Sequence, residues 1–166
     1  EDGLTLAIGG ATHGSSTLQM AAAYATLANG GEYIEPTFYT KLVNADGKTI
    51  MEPKQEKRRV ISEANAYIVS NILLDVVNGA QGTAGPCAIS GMDVAAKTGT
   101  TDNSTNKWLC GYTPYYAAAT WYGYGNTNNW KVLKVNNART IWANVMKDIH
   151  KGLDKKRFKK PNNIVT

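Results

Sequence analysis

The chain has 166 residues, 43% of them hydrophobic and 19% charged, a balance that fits one ordinary globular domain and excludes a disordered or fibrous array. Its formal charge of +5 is confined to one end: residues 151–166 hold six bases and one acid, while the rest of the chain carries 12 of each. The body therefore lacks a basic stripe with interleaved aromatics, nucleic acid is not an expected partner, and the run ahead of Pro161 reads as a solvated tail.

Along the chain, Glu1 to Gly14 reads as having no element of its own. Ser16-Thr-Leu-Gln19 is a capping box and predicts a helix start. Leu18, Ala21, Ala22, Ala25 and Ala28 then recur at helical spacing, and Asn29-Gly30-Gly31 supplies the stop. Tyr33 to Val43 is rich in β-branched and aromatic residues and reads, across Asp46-Gly47, as a hairpin with Lys48-Thr-Ile50. Lys54 to Arg59 reads as an exposed connection. Ser62 caps a second helix through about Val77, with Tyr67, Ile68, Ile72 and Val76 on one side and Asn78-Gly79 as its stop.

After a loop of small residues come three strand candidates, Met92 to Thr100, Lys107 to Thr113 and Tyr116 to Tyr124, joined by short polar turns that imply antiparallel neighbours. Gly125 to Lys134 is a place for a fourth short strand. Ile141, Trp142, Val145, Met146 and Ile149 then trace an amphipathic helix stopped near Gly152. The fold class is α+β, an antiparallel sheet flanked by helices, with residues 1–152 as the folded part and 153–166 as a basic tail or linker.

No apolar run reaches the roughly 18 to 20 residues that span a bilayer. The longest candidate, Met20 to Ala28, is interrupted by Thr26. The chain opens on Glu1 without a leader-like pattern, and we expect it to be cut from something longer. His13 and His150 lie far apart, and Cys87 and Cys110 do not form a C-x-x-C pair, so neither a metal nor a cofactor is implied. Cys110 reads as a small core residue. Whether the two cysteines form a disulfide is left open by the sequence.

The stretch Val94-Ala-Ala-Lys-Thr-Gly-Thr-Thr101 carries the chemistry. If the strand continues through Thr100, side chains alternate, so Thr98 and Thr100 share one face and Lys97 takes the other. Gly99, without a side chain, leaves the backbone open to a ligand. Two threonine hydroxyls can then donate to a ligand carboxylate, the Thr100 amide can donate to a developing oxyanion, and Lys97 can bring an ammonium to a neighbouring group. Taken alone, the same residues also suit a strand end running into a polar turn.

Lys97-Thr98-Gly99 matches the K-T-G element of penicillin-binding proteins and class A β-lactamases. Its surroundings add to that match: Leu6-Ala-Ile-Gly-Gly10, Leu18-Gln-Met-Ala-Ala-Ala-Tyr-Ala25, Ala28-Asn-Gly-Gly31, Pro36-Thr-Phe38, Trp108-Leu-Cys-Gly-Tyr-Thr-Pro114 and Ile141-Trp-Ala143 stand in the order that class A penicillin-binding proteins have them. Nearly the whole chain resembles the C-terminal part of the transpeptidase domain of such a bifunctional synthase.

The resemblance implies the serine β-lactamase/transpeptidase-like fold and D-Ala-D-Ala transpeptidation, in which a serine attacks a stem-peptide carbonyl, D-alanine leaves and a second stem peptide accepts the acyl group. β-Lactams would acylate the same serine. Lys97 would hydrogen-bond the serine of the family's Ser-x-Asn element. Thr98 and Thr100 would bind the terminal carboxylate beside Gly99, and the Thr100 amide would form half of the oxyanion hole. Catalysis is thus expected from Lys97 and Thr100, with substrate binding by Thr98, Gly99 and Thr100. The implied location is the extracytoplasmic face of the cell membrane, held by an anchor outside this chain.

The family's Ser-x-x-Lys and Ser-x-Asn elements precede the lysine strand, and neither occurs before residue 97. The only Ser-x-x-Lys is Ser104-Thr-Asn-Lys107, in a polar turn with no helix to hold it, and it reads as a decoy. The nucleophile is therefore expected outside the chain, on a separate N-terminal piece of the same domain, and this chain alone is expected to be inactive. Its other partners would be peptidoglycan stem peptides and β-lactam antibiotics. The alternatives are a non-catalytic D-alanyl-peptide or β-lactam sensor module, a polyanion binder driven by the tail, and a β-lactamase, the last disfavoured by the Trp108 to Pro114 and Ile141 to Ala143 segments.

Overall fold

The computed structural model describes residues 3–4, 6, 9–10, 13–125 and 129–164. The reading of Glu1 to Gly14, and Ala7 and Ile8 of the first resembling segment, therefore fall in part outside the described residues.

The predicted capping box forms. Ser16 Oγ accepts the Gln19 amide at 3.2 Å and Gln19 Oε1 accepts the Ser16 amide at 2.9 Å, starting α1 (Thr17–Ala28). The helix ends in Gly30 and Gly31, both at positive φ. At Gly31, φ is +90° and a Cβ would lie 2.2 Å from the Ile61 carbonyl oxygen, so only glycine lets the chain from α1 meet the segment leading into the second helix.

Tyr33 to Val43 is not one strand. It splits around Pro36 into β1 (Glu32–Ile34) and β2 (Leu42–Val43), which belong to different sheets. β2 pairs with β3 (Thr49–Met51) across the predicted Asp46-Gly47 turn, where Asn44 Oδ1 accepts the Asp46 and Lys48 amides. β1 pairs with β4 (Lys57–Arg59), the segment expected to be a mere connection. That expectation fails because a ladder is a backbone bond: the three exposed charged residues need no buried face, and Arg58 lies 5.3 Å from the Tyr33 ring centroid opposite it.

Ser62 Oγ accepts the Asn65 amide at 3.1 Å and caps α2 (Glu63–Asn78). The face it buries is not the predicted one. Ala66, Ser70 and Val77 are buried, whereas Ile68 and Ile72 are exposed and Tyr67 and Val76 are half-buried. Small residues at positions 66 and 70 let α2 approach closely, and Ser70 reaches the Tyr112 hydroxyl at 2.7 Å.

β5 (Ala95–Thr100), β6 (Asn106–Tyr112) and β7 (Ala117–Gly123) form the predicted antiparallel meander, in the order β5-β6-β7. No fourth strand follows it among the described residues of 125–134, of which 126–128 lie outside the description. Opposed residues share a face. Lys97, Cys110 and Tyr112 therefore face α1 and α2, with the Tyr24 ring 6.2 Å from that of Tyr112, while Ala96, Thr98, Thr100 and Leu109 face the other side.

That other side is covered by α3 (Asn137–Ile149), capped by Asn136 on the Arg139 amide. Trp142, Ala143 and Met146 pack with Leu109, Ala96, Val94 and Cys87, and the Trp142 indole donates to the Ala118 carbonyl at 3.0 Å. Fully burying Leu109, Val94 or Met146 is worth about 1.5–3 kcal/mol each. Of the expected apolar face only Trp142 and Met146 are buried; Ile141, Val145 and Ile149 form a second, exposed stripe.

The terminal segment keeps most of its side chains exposed but is docked at its middle. The buried Asp93 carboxylate accepts from Arg157 and, at 2.9 Å, from the Phe158 amide. The Phe158 ring lies 5.3 Å from Tyr112, and the Lys156 ammonium sits over Tyr115. One aromatic and one paired arginine suffice to dock the run as a strap.

Cys87 and Cys110 are buried free thiols, and burial pushes each up to about 11. Cys110 is thus the core residue expected.

Candidate functional site

β5 changes character midway. Ala95 and Ala96 are buried, Lys97 and Thr100 exposed, Thr98 and Gly99 half-buried. The strand starts in the core and ends on display. Among the described residues its only ladder is with β6, so its other side is a free edge.

The pairing decides what that edge presents. The Thr101 amide donates to the Asn106 carbonyl at 3.2 Å, and hydrogen-bonded pairs alternate with non-hydrogen-bonded ones in an antiparallel ladder. The amides and carbonyls of Thr98 and Thr100 consequently point away from β6. The Thr98 carbonyl is taken by the Lys97 ammonium at 2.9 Å, while the Thr100 amide lies on the open side, where a developing negative charge can be met.

Thr98 and Thr100 share a face and Lys97 takes the opposite one, as the alternation predicts. The Thr98 hydroxyl lies 2.8 Å from that of Thr83. Gly99 has a further cause beyond ligand access: a Cβ there would come within 3.1 Å of Trp108 Cβ, so the missing side chain also lets Trp108 lie against the strand.

Ser104 and Lys107 are held apart from any catalytic geometry. Ser104 occupies the turn between β5 and β6 at φ +52°, and Lys107 is buried on β6 opposite Thr100. No hydrogen bond joins them among the described residues. The turn itself is fixed by the Leu133 amide on the Ser104 carbonyl and by the Trp121 indole on Asn106.

Two residues near the edge escape the sequence reading. Thr83 belongs to the loop after α2, and Arg139 opens α3 and donates to the Thr83 carbonyl at 2.8 Å. A lone threonine among small residues carries no periodic signal, and Arg139 falls outside the apolar pattern that reveals its helix.

In backbone shape the chain matches penicillin-binding transpeptidases. It superposes on penicillin-binding protein 1A from Haemophilus influenzae with a TM-score of 0.79 at 22% identity, over 91% of this chain and 28% of that one, which shows the fold. It also superposes on the penicillin-binding protein PonA1 from Mycobacterium tuberculosis with a TM-score of 0.76 at 29% identity, over 89% and 42%. An antiparallel sheet between helical layers, with a lysine and two threonines on an edge strand, thus places the chain in the serine β-lactamase/transpeptidase-like class.

Residues 2–151 match the family described as the penicillin binding protein transpeptidase domain. The chain is 40% identical over 156 residues to penicillin-binding protein 1A of Clostridium acetobutylicum, covering 93% of this chain and 19% of that protein. It is 36% identical over 162 residues to penicillin-binding protein 1A of Clostridium botulinum, covering 98% and 20%. The chain belongs to the penicillin-binding protein transpeptidase family, as the resemblance implies, and spans about a fifth of the length of these curated relatives.

Proposed function

We propose that this chain forms the substrate-binding wall of a serine D-Ala-D-Ala transpeptidase that cross-links peptidoglycan, with the nucleophilic serine carried by sequence outside residues 1–166. The observation that carries this reading is the free half of β5: an exposed lysine, two threonines on one face and the Thr100 amide turned to the open edge. In the reaction the serine oxygen bonds to the penultimate D-alanine carbonyl carbon, the terminal D-alanine leaves with a proton, and an amine of a second stem peptide displaces the serine. Thr98 and Thr100 bind the terminal carboxylate, Lys97 adds positive potential and engages the Ser-x-Asn serine, and the Thr100 amide stabilises the oxyanion.

Penicillin-binding relatives support β-lactams as ligands of the same edge, acylating the same serine. A peptidoglycan substrate supports a location outside the cytoplasmic membrane, with an anchor outside residues 1–166; no helix among the described residues is long and apolar enough to cross one. The exposed stripes Ile68, Val69 and Ile72 on α2 and Ile141, Val145 and Ile149 on α3 support a second piece of the same domain as partner, since such faces are costly to leave in water. Incubation with a labelled penicillin tests this. The chain alone should show no mass adduct and the reunited domain should show one; an adduct on the lone chain would overturn the assignment of the serine.

A further inference from the structure

Beside the edge, the Thr98 hydroxyl has a neighbour, Thr83, that the proposed mechanism does not use. Thr83 Oγ1 and Thr98 Oγ1 are 2.8 Å apart, and Thr83 sits on an exposed loop 15 positions upstream in sequence. Arg139 Nη1 holds that loop by donating to the Thr83 carbonyl at 2.8 Å. The Arg139 Nε is buried without a hydrogen-bond partner, and no carboxylate pairs with this guanidinium among the described residues. A cation without a counter-ion therefore stands behind two linked hydroxyls.

A hydroxyl carries one proton and two lone pairs. If Thr98 donates to Thr83, its proton is spent and it can offer an arriving carboxylate only lone pairs. If Thr83 donates to Thr98, the Thr98 proton is free for the anion and the two bonds polarise one another. The positive potential of Arg139 and the charge of the ligand both favour the second arrangement.

We propose that Thr83 is a positioning residue for carboxylate recognition, turning the Thr98 proton toward the acidic end of the substrate from a loop that Arg139 pins in place. The inference rests on the reading of the edge given under Proposed function. The test uses the transpeptidase domain completed by its serine-bearing part, and compares acylation rates with benzylpenicillin and with its methyl ester, which lacks the anionic carboxylate.

Thr83→Val should slow acylation by benzylpenicillin about three- to tenfold while leaving the ester rate unchanged, and Thr83→Ser should restore the wild-type ratio. Equal slowing with acid and ester, or no slowing at all, would overturn the role of Thr83, as would a failure of serine to rescue at unchanged melting temperature. Thr98→Val separates the two levels of the argument. If it changes the acid-to-ester ratio and Thr83→Val does not, only the present inference fails; if neither changes it, the carboxylate reading of the edge fails and takes this inference with it.

Discussion

Replacing Tyr112 by Phe should destabilise the chain by about 1 kcal/mol, and replacing Ser70 by Ala by more, although the second change removes no larger a group. The reason is the direction of the hydrogen bonds. Ser70 Oγ donates to the Ala66 carbonyl at 2.7 Å, so its single proton is committed, and the Tyr112 hydroxyl 2.7 Å away must donate to Ser70. Tyr112 is 0% and Ser70 3% exposed, so water does not substitute for either partner. Tyr112→Phe deletes the donor and leaves Ser70 bonded to Ala66. Ser70→Ala strands a buried phenol proton, at a cost of about 1–3 kcal/mol. The double variant leaves two apolar groups in contact with nothing orphaned, so it should cost less than the two singles together, with a coupling of about 1 kcal/mol. Urea unfolding of the four chains measures this, with unchanged m-values as the check on two-state behaviour. Additivity to within about 0.5 kcal/mol would refute the proposed bond directions.

Asp93→Ala removes the acceptor for both Arg157 and the Phe158 amide, so the strap should detach and trypsin should cut after Lys155 or Lys156 about tenfold or more faster, with unchanged cutting counting against a docked strap. Burial pushes Tyr24 and Tyr112 from 10 to about 12 and the two thiols from 9 to about 11. The unfolded chain therefore releases these protons first, so stability should be fully present below pH 9 and fall as pH rises toward 12; a denaturation midpoint flat over that window would contradict the burial of these groups. Lys97→Met, at an exposed position, should leave the melting temperature within about 2 °C while lowering penicillin acylation of the completed domain at least about tenfold, and wild-type acylation would remove Lys97 from the site.

How much of this was legible in sequence depends on whether the signal was local. The caps at Ser16 and Ser62 and the three strands of the meander involve neighbours a few residues apart, and they stand where the spacing puts them. β4 was invisible because Lys57–Arg59 pairs through its backbone and buries no side chain. The helices α2 and α3 were read correctly, but the inner face of α2 was not and that of α3 only through Trp142 and Met146. Apolar periodicity marks every greasy stripe, while the choice between stripes belongs to the partner, and here the sheet accepted Ala66 and Ser70 over Ile68 and Ile72. Six bases outweigh one phenylalanine in the composition of the terminal run, so its docking through Phe158 and Arg157 was not legible there. Lys97, Thr98 and Thr100 were legible because strand alternation is strictly local, but Thr83 reaches Thr98 only through the loop after α2.

The exposed half of β5 also faces a problem unrelated to chemistry. A bare strand edge invites any other strand to pair with it, and the proposed function requires this one to stay open. The Lys97 ammonium on the Thr98 carbonyl occupies an acceptor that an incoming strand would need, and it sets a positive charge along the edge. A peptide ending in a carboxylate gains from that charge, while a neutral strand in mid-chain gains nothing and must displace the lysine. Asp93 holds the start of the strand through Arg157 and Phe158, and the Leu133 amide and Trp121 indole fix the turn after it. The edge can then remain unpaired without losing its shape, so the lysine assigned to the proposed chemistry also disfavours a competing strand at that edge.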